Sequence, residues 1–248
     1  MRLLIAVSCL VIGFSTANAD WVDNFSGGIA EQTWQFGSLP NGSSFSSSFN
    51  AGSGGHMLID SPTGVGLGGA AAVFGFVQQN FNNPGISVRG VLNPTQENLM
   101  RNVGVLAYLN PLTTSTYGLS ISYGGAGDLD LTKTVAGTTT TLQTISIANF
   151  NPTATYSLEL KVSGVSLRGR VFNDNDVLLH SVFATDNTPF TSGFAGVVVQ
   201  RDLADPTLRG TIGSMSATAV PEPASFAILA AAAIVPCVNR YRKRAIAK

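Results

Sequence analysis

Residues 155–162 alternate without a break: Tyr156, Leu158, Leu160 and Val162 fall on one side, Ser157, Glu159 and Lys161 on the other. Period-two alternation of this length specifies a strand with one buried and one wet face. Tyr117, Leu119, Ile121 and Tyr123 repeat the pattern with Gly and Ser between them. Ile86 with Val88 and Leu129 with Leu131 continue it, and Val177 and Leu179 interleave with Leu178 and His180. Turn-forming clusters bound these segments at residues 82–85, 124–127, 149–152, 163–164 and 173–176. About ten strands at this spacing predict an all-β sandwich or jelly roll. Apart from an N-terminal signal helix and a short C-terminal hydrophobic helix, a helix is expected only as a short turn after Asn93-Pro94, where an N-cap meets a first-turn proline. The stretch 37–69, rich in Ser and Gly, reads as a long loop region with irregular strands around Ser44–Phe49 and His56–Asp60.

The two ends depart from this pattern. Arg2 and the apolar run Leu3–Phe14 precede Ala17-Asn-Ala19, a small-x-small cleavage site, so 1–19 reads as a signal peptide removed by signal peptidase. At the other end, Pro221-Glu222-Pro223 leads into a short apolar helix ending at Val238, followed by Arg240, Arg242, Lys243 and Arg244. From Ala224 the run spans about 22 Å as a helix, less than the bilayer core of about 30 Å. The basic cluster places the C-terminus in the cytoplasm. This three-part order resembles the PEP-CTERM sorting signal of Gram-negative bacteria. The resemblance implies an exosortase-type membrane protease that cuts near Pro221-Glu222-Pro223 and passes the protein from the inner membrane to the cell surface or extracellular matrix. The expected organisation is therefore 1–19 signal, 20–219 β-sandwich and 220–248 sorting segment.

Composition then narrows the middle. Residues 20–219 hold 13 acidic and 8 basic side chains, a mildly acidic balance that argues against nucleic acid. Cys9 and Cys237 both lie in the end segments, so the exported domain has no disulfide to lean on. Residues 20–26 with Trp34, the strands over 156–183 and the returning segment 192–198 resemble concanavalin A-like, LamG-type jelly rolls. Such folds host lectins, adhesive modules and glycosidases, and the fold alone does not choose among them.

The chemistry on offer is sparse. Glycoside hydrolysis normally uses two carboxyl groups about 5–10 Å apart. Laminarinase-like enzymes of this fold carry Glu-x-Asp-x-x-Glu on one strand, and Glu31, Glu97 and Glu159 make no such pattern. Glu159 reads as a solvated strand residue beside Lys161. Asp174 and Asp176, within Asn173-Asp-Asn-Asp176, are the candidate calcium ligands, although the same residues are good hairpin-turn formers. Asp128 and Asp130 share one strand face. His56 and His180 stand too far apart in sequence to suggest a zinc site, there is no Gly-x-Ser-x-Gly elbow, and Gly64–Gly69 lacks the βαβ context of a phosphate loop. Trp34, flanked by Gln32 and Gln35, is the candidate platform for sugar stacking; Tyr117 and Tyr123 fall on an apolar face. The expectation is an exported, non-catalytic surface or matrix protein that contacts extracellular polysaccharide and needs no cofactor unless calcium is bound. The alternative is a glycoside hydrolase or lyase with an unfamiliar site.

Overall fold

A computed structural model describes residues 20–25, 30–39, 46–50, 56–61, 71–82, 85–92, 102–123, 127–201 and 208–220. The signal residues Ala17 and Ala19, the short helix expected at 93–100, the glycines at 64–69, Pro221-Glu222-Pro223, the apolar helix and Arg240–Arg244 lie outside them.

Fifteen strands, and no helix, form among the described residues: β1 Trp21–Asp23, β2 Trp34–Leu39, β3 Ser46–Asn50, β4 His56–Ser61, β5 Ala71–Phe81, β6 Gly85–Leu92, β7 Asn102–Asn110, β8 Ser115–Ser122, β9 Asp128–Val135, β10 Thr138–Ser146, β11 Tyr156–Ser163, β12 Ser166–Phe172, β13 Leu178–Thr185, β14 Gly193–Arg201 and β15 Leu208–Ala219. They make two antiparallel sheets. One runs β13-β12-β11-β6-β15-β4-β3, with β1 also paired to β15; the other runs β10-β9-β8-β7-β14-β5-β2. Neighbours in sequence are often not neighbours in a sheet, since β6 sits between β11 and β15 and β14 between β7 and β5.

The core is the meeting of the two inner faces. Ile86, Val88, Leu158, Leu160 and Val162 from the eight-stranded sheet pack against Val103, Val105, Leu119, Ile121, Leu129, Leu131, Val197 and Val199 from the seven-stranded one, all fully buried. Gly169 on β12 is part of this fit. A Cβ there would stand 2.3 Å from Leu119 Cδ1, so the missing side chain is the socket for Leu119.

Two buried carboxylates tie the sheets together. Asp23, at the end of β1, is fully buried and accepts the backbone N–H of Phe25 (3.0 Å), Glu31 (3.2 Å) and Gln32 (3.1 Å) and the indole Nε1–H of Trp34 (2.7 Å). It thereby fixes the crossing from β1 in one sheet to β2 in the other. Asp186, just past β13, accepts the Tyr117 hydroxyl at 2.5 Å, pairs with Lys133 at 2.6 Å and takes the Thr188 N–H at 3.0 Å. Burial pushes the Asp186 carboxyl up, but the hydrogen bonds from Lys133, Tyr117 and Thr188 outweigh it and bring it down to about 2. The Tyr117 phenol moves the other way, raised by burial and by the Asp186 bond.

Candidate functional site

The seven-stranded sheet carries a groove of about 390 Å³ on its outer face. Its geometry starts at a two-residue turn. Ala136 (φ 49°) and Gly137 (φ 80°) join β9 to β10, the left-handed pair that suits the twist of a tight hairpin. That turn sets the register of Thr139 and Thr141, a bulge at Leu142 shifts it by one residue for Thr144 and Ser146, and together they stack polar side chains in rows. Thr116, Thr134 and Thr139 stand side by side across β8, β9 and β10. Gly118, Thr132 and Thr141 form the next row, then Ser120, Asp130 and Thr144, then Ser122, Asp128 and Ser146. Neighbouring rows are about 7 Å apart and neighbouring strands about 4.8 Å. Hydrogen bonds hold the rows: Thr134 Oγ1 to Thr139 Oγ1 at 2.9 Å, Thr144 Oγ1 donating to Asp130 at 2.6 Å and Ser146 Oγ donating to Asp128 at 2.6 Å. Gly118 leaves a gap in its row; a Cβ there would meet Thr132 Oγ1 at 2.8 Å.

The other half of this face is apolar. Phe74 and Phe76 on β5, Leu106 and Leu109 on β7, and Phe194 and Val198 on β14 form a cluster separate from the main core. A bulge makes it. Tyr108 adopts φ 55°, rare for a bulky residue, and the pairing of β7 with both β8 and β14 shifts there, so Leu106 and Leu109 reach the same face. At one end Asn102 Nδ2 reaches Gln200 Oε1 at 3.5 Å. The groove thus sets hydroxyl rows beside an apolar wall, and among its described lining residues no side chain is cationic.

The residues singled out from sequence sit elsewhere, apart from Asp130. Trp34 is partly buried, bonded to Asp23 through its indole N–H, packed edge-on against Trp21 at 5.9 Å and tilted against Phe25 at 5.8 Å. Asp174 and Asp176 belong to the β12–β13 turn. Asn173 Oδ1 accepts the N–H of Asn175 (3.1 Å) and Val177 (2.9 Å), Asp174 accepts the Asn175 amide, and Asp176 pairs with Arg89. Among the described residues no three His, Cys, Asp or Glu side chains are grouped to hold a metal. His180 Nε2 accepts the Ala148 N–H at 3.2 Å. Tyr117 belongs to the Asp186 cluster, and burial raises the phenol of Tyr123. Glu159 is more engaged than a solvated strand residue: its side chain is only 14% exposed and it pairs with Arg170 at 2.5 Å. Asp130 does line the groove, one row from Asp128. The threonines of β10 were the signal passed over. Thr138–Thr141 reads as a bland polar run until the Ala136-Gly137 turn is used to pair it.

No family model and no curated protein sequence matches the chain. Solved structures do resemble it in shape. A basic winged bean lectin with Tn-antigen aligns at a TM-score of 0.55 and 10% identity, covering 82% of this chain and 98% of the lectin. The exoplasmic/lumenal domain of VIP36 in its Ca²⁺-bound form gives 0.53 and 10%, over 82% and 90% of the two chains. The carbohydrate binding module CBM66 from Bacillus subtilis gives 0.51 and 12%, over 73% and 92%. At these identities the likeness establishes the fold: the described residues form a lectin-like, concanavalin A-type jelly-roll sandwich of two antiparallel sheets.

Proposed function

We propose that this chain is an exported, non-catalytic glycan-binding protein, delivered to the cell surface or matrix by its two end segments, and that neutral polysaccharide lies in the groove of the seven-stranded sheet. The observation that carries the reading is the groove's division into hydroxyl rows and an apolar wall. A pyranose has the same division, with hydroxyls on its edge and C–H groups on its faces, and a few polar groups convergent on an apolar site give orientation and specificity. Fold relatives named as lectins and as a carbohydrate binding module support it. The full-length chain in mild detergent is expected to bind neutral glycans on an array, and T132V/T141V to weaken that binding roughly tenfold by removing two hydroxyl partners. Absence of binding to every glycan overturns the reading. For sorting, mass spectrometry of the surface form is expected to show a C-terminus near Pro221-Glu222-Pro223, and an intact Lys248 would contradict cleavage.

One observation favours a second reading. Asp128 and Asp130 share a face at a strand spacing of about 7 Å, within the range of carboxylate pairs in glycoside hydrolases. Each already accepts a hydroxyl from β10, which supports a binding role. Sugar release from matrix polysaccharide, abolished in D130N, would replace the lectin reading with a hydrolase.

A further inference from the structure

The outer face of the eight-stranded sheet has a different chemistry. Register places Arg89 of β6, Glu159 of β11 and Arg170 of β12 in one row. The adjacent row holds Ser87, Lys161, Arg168 and, on β13, Phe183. Four of the eight basic residues in 20–219 therefore share one patch of an acidic domain. Phe172, at the end of β12, packs under two guanidinium groups, with Arg89 at 5.1 Å and Arg170 at 5.3 Å from its ring centre. Phe183 is 64% exposed beside Arg168.

The local acids do not cancel these charges. Glu159 is the single carboxylate within the two rows, and one oxygen serves both Arg170 (2.5 Å) and Arg168 (3.8 Å, beyond a hydrogen bond). Asp176 reaches in from the turn to Arg89, and Asp174 in that turn is bonded to Asn175. Lys161 has no ion-pair partner among the described residues, and the Nε–H groups of Arg168 and Arg170, buried within the rows, have no acceptor. Four cations therefore face two engaged carboxylates, and the excess charge is positive.

We propose that this face docks a carboxylate-bearing (uronate) polysaccharide, at a site separate from the neutral groove. Planar guanidinium forks match oxyanions such as carboxylates two bonds at a time. A uronate chain is the anionic polymer that a lectin-like domain with surplus positive charge on this face would take. A sulfated or phosphate polymer is the competing outcome of the test. The cations lie along two strand rows, a layout suited to a chain crossing the sheet rather than to one small anion. Phe183, exposed beside Arg168, supplies apolar surface for a sugar ring, while the buried Phe172 ring holds the Arg89 and Arg170 guanidiniums in place.

The test passes the full-length chain in mild detergent over immobilised polygalacturonate, its methyl ester and neutral dextran. Retention on polygalacturonate at about 50 mM salt is expected, falling steeply as salt rises, with none on the ester. K161Q/R168Q, which spares the Arg170–Glu159 pair, is expected to weaken retention roughly tenfold. E159Q, which removes the central negative charge, is expected to strengthen it, and T132V/T141V in the groove to leave it unchanged. Equal retention on the ester, equal or tighter binding of heparin or duplex DNA at matched charge, or wild-type retention by K161Q/R168Q with native near-ultraviolet circular dichroism would each overturn the proposal. Failure of the neutral-glycan array leaves these outcomes untouched, so the two sites stand or fall separately.

Discussion

The hydroxyl rows of β8–β10 and the cation rows of β6, β11 and β12 are both outer sheet faces, set out by the same alternation against the same core. They differ in what fixes them. The hydroxyl face is set by backbone register: the Ala136-Gly137 turn and the bulge at Leu142 decide which hydroxyls stand abreast, and short side chains with few rotamers follow. The cation face is set by side chains: long arginines are held over Phe172 and around Glu159 by charge and stacking. Burial dictates the inside of a sandwich closely, whereas the outside is free to take a chemistry, and each sheet has taken its own. Both faces depend on strand register, and binding at the hydroxyl face is expected to respond little to salt and binding at the cation face strongly.

The largest effect is expected where the two faces share support. Asp186 joins the end of β13 to Lys133 and Tyr117 of the opposite sheet, so D186A leaves a cation and a phenol without their partner. A loss of about 3–5 kcal/mol in urea unfolding is expected, with binding at both faces falling together. Wild-type stability in D186A would show that the faces do not rest on this junction. The same group shapes acid stability. Its folded pKa lies below the ordinary 3.8, at about 2, so its contribution is complete above pH 4 and is lost as pH falls toward 2. That loss amounts to about 2 kcal/mol, and D186N should lack this part of the acid limb.

A smaller effect sharpens the contrast directly. T132K puts a cation among the hydroxyl rows, and roughly tenfold weaker neutral-glycan binding with new, salt-sensitive retention on polyuronate is expected. If polyuronate retention does not rise, charge alone is not what separates the faces. The smallest effect belongs to the turn that carries Asp176 to Arg89. N173A removes two bonds from an exposed side chain to the backbone and should cost about 1 kcal/mol or less by thermal unfolding. Uronate binding should change little, since Lys161 and Arg168 remain.

The sequence made the sandwich legible where one face of a strand is wet. Tyr156–Val162 and Tyr117–Ile121 alternate because water lies on one side of β11 and a shallow polar groove on one side of β8. It hid β5 and β7. Val73–Val77 and Val103–Leu109 bury apolar residues on both faces, one set in the main core and one in the Phe74–Leu109 cluster, so no period of two survives. Trp34 drew attention as an uncommitted aromatic because its partner, Asp23, lies 11 residues back and pairs only through a crossing between sheets. The site residues were hidden for a related reason. A row of threonines exists only once three strands are in register, and the one local cue was the Ala136-Gly137 turn.

The pairing of β1 with β15 has a mechanical consequence. Trp21 lies opposite Ala217, and the Ala219 N–H donates to Asp20 at 3.1 Å, so the first and last described residues of the sandwich leave it side by side. Tension applied between those two ends would load the ladder rung by rung, as in opening a zip, and the domain should yield at low force. Tension applied through one end alone, as when a ligand on either face drags against a C-terminal tether, does not load that ladder between its ends. The same closeness means that a short linker from Val220 to Asp20, with new ends at the Ala136-Gly137 turn, should give a permuted domain whose weakest seam has been sealed.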